Sequence, residues 1–338
     1  MKKKIAIMGA GSWGTAIAMT LNGKGHEVVV WDRFSEHVNK INKTRENVFS
    51  LPGIKIDEKI IFTDDKEQCL GNAEIVILAV ASQGVRSTLE SIKPELMKNK
   101  IIVNVSKGIE TGTLKRMSEV VKEFFPDNPF VALSGPSHAE EVSRGMPTTL
   151  VAASDKMALA EMIQDLFITD RLRVYTNTDV CGVEIGASLK NVIALGAGIS
   201  DGLGYGDNAK AALMTRGIVE IARLGEAMNA DVNTFTGLTG IGDLIVTCTS
   251  MHSRNRRCGI LIGEGMKMDD AVEKIGMVVE GIYTIKSAFE LAKKYSVEMP
   301  IVDELYRVLY ENHDVETSVN NLMTRSKRHE MEMTMKIK

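Results

Sequence analysis

The sequence predicts an α/β protein in which an N-terminal, doubly wound parallel sheet is followed by a C-terminal, all-helical domain. Its first half alternates short, continuously apolar segments with helical ones, as parallel strands and their crossover helices do. A glycine-rich turn joins the first apolar segment to the first helical one. Beyond about residue 180 only helical periodicity remains. We therefore divide the chain into residues 1–181 and 182–338.

The predicted strands are short apolar runs bounded by turn residues. They cover residues 5–8, 27–31, 60–63, 74–80, 101–105, 130–133, 148–153 and 173–175. Helices are predicted where apolar residues recur on one face: residues 15–22, 87–97 and 114–125 in the first domain, and residues 182–198, 210–229, 269–275, 281–294 and 301–311 in the second. From Ser326 onward we expect a solvated end, with Met331, Met333 and Met335 frayed.

The bulk composition is that of a soluble globular protein, with 44% hydrophobic and 25% charged residues among 338. The 41 basic residues are balanced by 44 acidic ones, so the chain has no overall field to attract nucleic acid. An apolar run of 18 residues is absent from the sequence, which argues against a membrane span. The apolar run after the N-terminal lysines is too short for a secretory signal, so a cytoplasmic protein is expected.

The cysteines do not point to a metal site. None of the four forms a Cys-x-x-Cys pair, and the series Cys248, His252 and Cys258 lacks a fourth ligand. Reduced thiols are the better interpretation, and no metal is expected.

The glycine-rich turn at residues 9–14 predicts a dinucleotide site of the Rossmann type. Gly9 would make the tight turn, Gly11 would let the backbone approach a pyrophosphate, and Gly14 would let helix and strand pack closely. The phosphates would then face the unpaired N–H groups of the helix N-terminus. The motif follows one strand and precedes a helix and a second strand, the context that this interpretation requires.

The end of the second predicted strand carries two residues with opposite implications for the cofactor. Asp32 could accept hydrogen bonds from the adenosine ribose, which favours NAD, whereas Arg33 could bind a 2′-phosphate, which favours NADP. Arg33 could equally be a solvated turn residue. We expect NADH to be used and NADPH to be tolerated.

Ligands of such sheets bind at the carboxyl ends of the strands, where three segments stand out. Residues 79–82, which are small and end at Ser82 after one of the strands, suit the close approach of a ribose or nicotinamide. Lys107 follows the next strand and could bind a substrate oxygen, or be an ordinary surface lysine. Residues 134–139 form a tight turn that could hold a ligand or only cap a helix, and His138 is interpreted as structural.

Lys190 is the strongest single catalytic candidate. It lies in a nearly apolar helix, and Gly186, Ala187 and Ala194 are its neighbours at helical spacing. Such small side chains would leave room for a ligand against the helix, and a lysine so placed can act as a general acid or base. The alternative is a lysine that only extends its amine toward solvent.

Three further segments of the second domain carry charge. Asp243 lies between glycines and an apolar segment, where it could orient Lys190 or cap a helix. Residues 253–257 are a compact cationic run; a helix that starts there would offer N–H groups and a guanidinium to a phosphate, and the lack of aromatic residues argues against nucleic acid. Glu280 could reach the cofactor or mark an exposed helix start.

Together these segments resemble bacterial NAD(P)-dependent sn-glycerol-3-phosphate dehydrogenase. The blocks that carry the resemblance span almost the whole chain, in the family's order: residues 9–16 (GAGSWGTA), 51–54 (LPGI), 105–110 (VSKGIE), 134–139 (SGPSHA), 187–192 (ASLKNV), 240–244 (GIGDL), 253–256 (SRNR) and 278–281 (VVEG).

The resemblance implies roles for individual residues. The dinucleotide would be bound by Ser12, Trp13, Arg33, Lys107, Ala139, Arg254, Val278 and Glu280. The substrate site would be lined by Lys107, Gly135, Ser137, Lys190, Asn191, Asp243, Thr247, Ser253, Arg254 and Asn255. The family's position after Trp31 is variable, so Asp32 is a departure that bears on the choice between NAD and NADP.

The implied enzyme is an oxidoreductase that transfers a hydride reversibly between NAD(P)H and C2 of dihydroxyacetone phosphate, giving sn-glycerol 3-phosphate. Lys190 would be the acid–base residue, with Lys107 stabilising the developing negative charge and Asp243 orienting the lysine. A homodimer that supplies phospholipid synthesis is the family expectation. The alternatives are a dehydrogenase of the 6-phosphogluconate or hydroxyacyl type, and a non-catalytic dinucleotide-sensing protein.

Overall fold

The structure of the protein, a computed structural model, describes residues 2–327 and 329–330. The predicted frayed methionines at 331, 333 and 335 lie outside the described residues. The chain forms two units, the first of Met1–Glu110 with Lys115–Glu184 and the second of Thr111–Leu114 with Ile185–Lys338.

The strands all belong to the first unit. They are β1 Lys4–Met8, β2 Glu27–Trp31, β3 Glu46–Asn47, β4 Leu51–Lys55, β5 Ile61–Thr63, β6 Ile75–Leu78, β7 Ile101–Asn104, β8 Phe130–Ser134, β9 Thr148–Ala153 and β10 Leu172–Asn177. Eight of them form one sheet in the order β10-β9-β8-β7-β6-β1-β2-β5, and β3 pairs with β4 in a separate hairpin. The predicted doubly wound sheet is thus confirmed, with β1 inside it between β6 and β2.

The helices are α1 Ser12–Gly23, α2 Ser35–Thr44, α3 Lys66–Leu70, α4 Val85–Glu90, α5 Met117–Phe124, α6 Ala139–Val142, α7 Met157–Phe167, α8 Val180–Gly202, α9 Asp207–Ala227, α10 Asp243–Thr249, α11 Arg254–Gly263, α12 Met268–Ile275, α13 Glu280–Tyr295, α14 Pro300–Tyr310 and α15 Val315–Met323. No strand occurs between residue 185 and the end of the described chain, so the second unit is helical there, as predicted.

The sheet departs from the prediction at β9, which runs antiparallel to β8 and parallel to β10. An apolar strand that is buried on both faces has the same composition whether it runs parallel or antiparallel to its neighbour. Periodicity alone therefore does not reveal the direction of the strand in the sheet. The hairpin of β3 and β4 was also missed. Its strands are short, and β4 contains Pro52 and Gly53, the latter at φ 77°.

Two predicted helices are shorter in the structure for local reasons. The helix expected over 87–97 ends at Glu90 and is followed by a separate 3₁₀ turn at Pro94–Met97. A proline keeps the preceding residue out of the helical region, and Lys93 is extended at ψ 129°. The helix expected from 114 starts at Met117, because Leu114 has φ 61°, a left-handed conformation.

Helix α8 is the apolar centre of the second unit. Among the described residues it is the one helix long and apolar enough to cross a membrane, and 94% of its most apolar window is buried inside the protein. It contacts α11 closely through facing glycines. A Cβ at Gly198 would lie 2.1 Å from the carbonyl oxygen of Arg256, and a Cβ at Gly259 would lie 2.1 Å from that of Leu195. Only glycines allow the two backbones to approach this closely.

Glu220 on α9 is a buried carboxyl group that binds the start of α14. Its oxygens accept hydrogen bonds from the N–H of Ile301 at 2.9 Å and of Val302 at 3.4 Å. The residue is 3% exposed, and burial raises the pKa of Glu220 to about 8 in spite of these bonds. The folded protein therefore favours the protonated acid over a range of pH in which the unfolded chain is ionised.

This carboxyl group should make stability depend on pH. Because the pKa of Glu220 is higher in the folded than in the unfolded state, its contribution is full below about pH 4.5 and is lost as pH rises through about 8. We expect the free energy of unfolding of the wild type to fall more than that of Glu220→Gln between pH 5 and 8, since glutamine keeps the acceptor oxygen without titrating. Urea unfolding at both pH values measures this. Equal pH slopes for the two proteins would contradict the assignment.

Candidate functional site

The glycine turn of the first unit has the geometry of a phosphate-binding turn. Gly9 adopts φ 118°, and a Cβ there would lie 2.8 Å from the carbonyl oxygen of Ala79, just after β6. A Cβ at Gly14 would lie 2.0 Å from the carbonyl oxygen of Gly9, so α1 packs directly on the turn. Gly11, in contrast, has no atom within 4 Å of its Cβ position. Two of the glycines thus serve close packing, while the third leaves open space.

The start of α1 fits a dinucleotide in two further respects. Its N-cap, Gly11, supplies no side-chain hydrogen bond, and its first turn has no acidic residue that would repel a phosphate. The buried Nε1 of Trp13 has no hydrogen-bond partner among the described residues. The Trp13 ring packs against Ala16, Leu51 and Ile54. This predicted cofactor residue therefore contacts the hairpin of β3 and β4, which the sequence did not reveal.

Asp32 and Arg33, which follow β2, have different environments. The Asp32 carboxylate accepts hydrogen bonds from the N–H groups of Ala10 at 3.1 Å and Phe34 at 3.0 Å. It is therefore bound to the glycine turn itself. The guanidinium of Arg33 lies over the Phe34 ring, 4.4 Å from its centroid, and this ring is 55% exposed.

Three predicted substrate residues of the first unit meet at one carbonyl group. The Lys107 Nζ and the Ser137 Oγ each donate to the carbonyl oxygen of Gly135 at 3.0 Å. Gly135 has φ 141°, and a Cβ there would lie 2.9 Å from the carbonyl oxygen of Thr149, so the turn after β8 requires a glycine. His138 is the N-cap residue of α6, and the predicted cofactor residue Ala139 is the first residue of that helix.

Lys190 is buried and is held by two residues of α10. Its Nζ donates to the Oδ1 of Asp243 and, at 2.8 Å, to the Oγ1 of Thr247. The three residues are 5%, 1% and 3% exposed. Because the ammonium group is paired with a carboxylate out of bulk water, its position is fixed and its charge is balanced. The predicted orienting role of Asp243 thus agrees with the geometry, while the N-cap of α10 is Gly242.

The small residues around Lys190 pack against protein, so the expectation that they leave room for a ligand is wrong at Gly186. A Cβ at Gly186 would lie 2.6 Å from the carbonyl oxygen of Thr239. The chain that leads to Asp243 therefore crosses α8 one turn before Lys190. A Cβ at Gly240 would lie 1.9 Å from the carbonyl oxygen of Phe235, so this crossing segment also needs a glycine. These contacts bring Asp243 to the lysine.

A second polar chain joins α8, α11 and α13. Asn255 donates from Nδ2 to the Oδ1 of Asn191 at 2.9 Å, and its own Oδ1 accepts the N–H of Gly281 at 2.8 Å. Ser253 is the N-cap of α11, where its side chain accepts from the N–H of Arg256, and Arg254 is the first residue of that helix. The predicted helix start at the cationic run is thus confirmed. At the start of α13, Glu280 is the first helical residue, and Val278, just before the N-cap, is 40% exposed.

Arg256 was not singled out in the sequence, yet it connects these elements. Its Nε donates to the Oδ2 of Asp201 on α8 at 2.8 Å, and its Nη1 donates to the carbonyl oxygen of Thr249 at the end of α10 at 2.7 Å. Lys210 binds the other oxygen of Asp201 at 2.7 Å. The sequence marks the cationic run as a whole, but the partner of this arginine lies 55 positions away and leaves no local signal.

Comparison with known proteins agrees with the predicted family in both halves of the chain. Residues 4–160 match the family model for the NAD-dependent glycerol-3-phosphate dehydrogenase N-terminus. Residues 179–320 match the model for the C-terminus of the same family. Within the described chain, no group of three or more histidine, cysteine, aspartate or glutamate side chains is arranged to hold a metal ion.

Individual relatives match over nearly their full length. A glycerol-3-phosphate dehydrogenase [NAD(P)+] of Bacillus subtilis is 52% identical over 98% of this chain and 96% of its own. The enzyme of that name from Thermoanaerobacter sp. is 54% identical over 97% and 99%. The crystal structure of glycerol-3-phosphate dehydrogenase from Coxiella burnetii superposes with a TM-score of 0.93 at 37% identity, covering 96% of this chain and 99% of that one.

Proposed function

Because the chain belongs to the NAD-dependent glycerol-3-phosphate dehydrogenase family, we propose that Lys190 is the acid–base residue by which it interconverts dihydroxyacetone phosphate and sn-glycerol 3-phosphate. The observation that carries the proposal is the buried ammonium group, which Asp243 and Thr247 hold in place. A fixed proton donor lets the ketone oxygen be protonated as it gains negative charge. The membership also makes the protein an NAD(P)-dependent oxidoreductase and excludes the 6-phosphogluconate type, the hydroxyacyl type and the non-catalytic sensor.

The first unit supplies most of the residues proposed for the cofactor. The turn from Gly9 to Gly14 and the uncapped start of α1 would hold the pyrophosphate, with Ser12, Trp13 and Arg33 beside them. We assign Ala139, Arg254, Val278 and Glu280 to the same ligand from the family resemblance. When bound, the reduced cofactor supplies the hydride that adds to C2 of the ketone.

The residues of the protein have three tasks in this reaction. Lys190 donates a proton to the carbonyl oxygen during reduction and accepts it from the hydroxyl group during oxidation. Asp243 and Thr247 keep the amine oriented, and Lys107 stabilises negative charge on the oxygen. Ser253, Arg254 and Asn255, at the start of α11, hold the phosphate group, with Asn191 fixing Asn255. Gly135 and Ser137 contribute to the substrate site from the turn after β8.

The reaction is tested by following the oxidation of NADH with dihydroxyacetone phosphate, glyoxylate, a 3-ketoacyl thioester and no substrate in parallel. We expect turnover with dihydroxyacetone phosphate alone. Unphosphorylated dihydroxyacetone, assayed in the same way, should be a poor substrate because it lacks the phosphate group that the start of α11 is proposed to hold. Comparable rates with the other carbonyl compounds would contradict the assigned substrate.

Replacement of Arg254 by alanine should mainly weaken substrate binding. A charge-assisted pair with a phosphate is lost, while the acid–base group remains, so we expect KM for dihydroxyacetone phosphate to rise about tenfold to a hundredfold with a smaller change in kcat. Initial rates over a range of substrate concentrations measure both. The exposed Lys274→Ala, in α12, is the control for loss of a positive charge. An unchanged KM would remove Arg254 from the substrate site.

We also propose the remaining family expectations for this chain. It would act as a cytoplasmic homodimer that provides sn-glycerol 3-phosphate for glycerophospholipid synthesis. Light scattering of the purified protein distinguishes dimer from monomer, and growth of a strain lacking the enzyme, with and without added glycerol 3-phosphate, tests the metabolic role.

A further inference from the structure

The peptide group of Ala10, inside the glycine turn, is held from both sides. Its N–H donates to the Oδ2 of Asp32 at 3.1 Å, and its carbonyl oxygen accepts from the Nδ2 of Asn47 at 2.7 Å. Asn47 is fully buried and also donates to the Oγ1 of Thr15 at 2.9 Å. Since a carbonyl oxygen can only accept, the amide nitrogen of Asn47 must face Ala10, and the orientation of its side chain is determined.

His37 on α2 lies between two hydrogen-bond acceptors. Because the Asn47 nitrogen faces Ala10, its Oδ1 faces the ring and lies 3.0 Å from the His37 Nε2. The Oδ1 also accepts the N–H of Ser50 at 3.2 Å, as an oxygen should. On the other side of the ring, Nδ1 lies 3.4 Å from the Oδ2 of Asp32. Only the imidazolium form, with a proton on each nitrogen, satisfies both acceptors.

The electrostatic environment favours this charged form. The side chains of His37 and Asp32 are each 13% exposed, so their interaction is only partly screened by water. The hydrogen bond to Asp32 raises the pKa of His37, partly offset by burial. Burial alone would raise the pKa of Asp32, but hydrogen bonds from His37 and from the N–H groups of Phe34 and Ala10 outweigh it and leave the pKa below its ordinary value.

We propose that His37 determines cofactor specificity: as an imidazolium it holds Asp32 on the glycine turn and cancels its charge, so that the site accepts NADPH as well as NADH. In sheets of this type, the acidic residue after the second strand faces the adenosine ribose, where a free carboxylate would repel a 2′-phosphate. Here that carboxylate is neutralised and bound to the turn. Arg33, which follows it, then leaves a net positive charge at the end of β2.

The test uses dissociation constants, because binding is measurable whether or not the enzyme turns over. NADPH and NADH differ only in the 2′-phosphate, so the ratio of their dissociation constants isolates the proposed effect. We would titrate each cofactor by its nicotinamide fluorescence into the full-length wild type, His37→Gln, Asp32→Asn and the double variant. His313→Gln, which lies outside this network, is the matched control. The proposal rests on cofactor binding by this family, and failure of the triose phosphate assay would leave the ratio interpretable.

In His37→Gln the carboxylate is no longer neutralised, so we expect the dissociation constant for NADPH to rise about tenfold and that for NADH to change about twofold or less. Adding Asp32→Asn to this variant should restore NADPH binding. Asp32→Asn alone should leave the ratio within about twofold of the wild type, because His37 already cancels the charge. Equal weakening of both cofactors in His37→Gln, or no recovery in the double variant, would overturn the proposal. If His37→Gln fails to fold, Asp32→Asn alone tests the proposal. A free carboxylate that contacted the ribose would repel the 2′-phosphate, so its removal would shift the ratio of dissociation constants strongly in favour of NADPH and overturn the proposal.

Discussion

Lys190→Ala is expected to slow the reduction of dihydroxyacetone phosphate by about a thousandfold or more, because positioned proton transfer contributes on the order of 10² to 10⁴ and the amine also stabilises negative charge. The dissociation constant for NADH should change little, since Lys190 is not among the residues assigned to the cofactor. Steady-state rates and a fluorescence titration of NADH measure the two effects. Near-normal turnover would contradict the assigned mechanism.

A control is needed because alanine at this position leaves Asp243, which is 1% exposed, without the ammonium group. Removal of one member of a buried ion pair costs about 3–5 kcal/mol, so part of any loss could come from unfolding. Lys190→Arg retains the positive charge but has no titratable proton near neutral pH. We expect it to be more stable than Lys190→Ala and still severely impaired in turnover. Thermal melts of both variants separate stability from chemistry.

Gly198→Ala is expected to destabilise the second unit by about 3 kcal/mol, at the upper end of what overpacking usually causes. The new methyl group would lie 2.1 Å from the carbonyl oxygen of Arg256, a backbone atom of α11 that cannot rotate away. The two helices would have to separate. Since α8 carries Lys190 and α11 carries Arg254 and Asn255, we also expect a higher KM for dihydroxyacetone phosphate in the protein that remains folded.

The matched control is Gly206→Ala in the same unit. Gly206 has a negative φ and no atom within 4 Å of its Cβ position. As an N-cap change from glycine to alanine it should cost about 1 kcal/mol or less. Urea unfolding of both variants measures the difference. Equal stabilities would mean that α8 and α11 can separate without cost, and that the glycine contact does not position the substrate residues.

The features that the sequence predicted best are those that depend on neighbours along the chain. The strand, glycine turn and helix from β1 to α1 are contiguous, and each glycine has a local reason to be there. The start of α11 was predicted because Ser253 and the cationic run adjoin. The pairing of Lys190 with Asp243, 53 positions apart, is the exception: it was suggested by the residue types alone, a lysine in an apolar helix and an aspartate between glycines and an apolar segment. The family resemblance supported each choice independently.

What the sequence could not predict depends on contacts between distant segments. The sequence predicts space for a ligand at Gly186, but the same absence of a side chain admits the carbonyl oxygen of Thr239, 53 positions later. Asn47 sits in an otherwise unremarkable segment, and its importance appears only when Ala10 and His37 surround it. The direction of β9 likewise depends on how the chain returns to the sheet. The residue type limits the roles that a position can have, and the distant partner determines which of these roles the residue takes.

Helix α8 has a consequence for biosynthesis. When residues 180–202 emerge from the ribosome, the chain presents a segment with the hydropathy of a membrane span, and the aspartate that pairs with its lysine has not yet emerged. The partner aspartate is 53 positions downstream, which corresponds to about 3–10 s of translation at usual rates. During that interval the exposed apolar segment makes the nascent chain prone to aggregation. Helix α8, which carries the proposed acid–base residue, is thus an apolar segment that the nascent polypeptide exposes before the partner of its lysine is available.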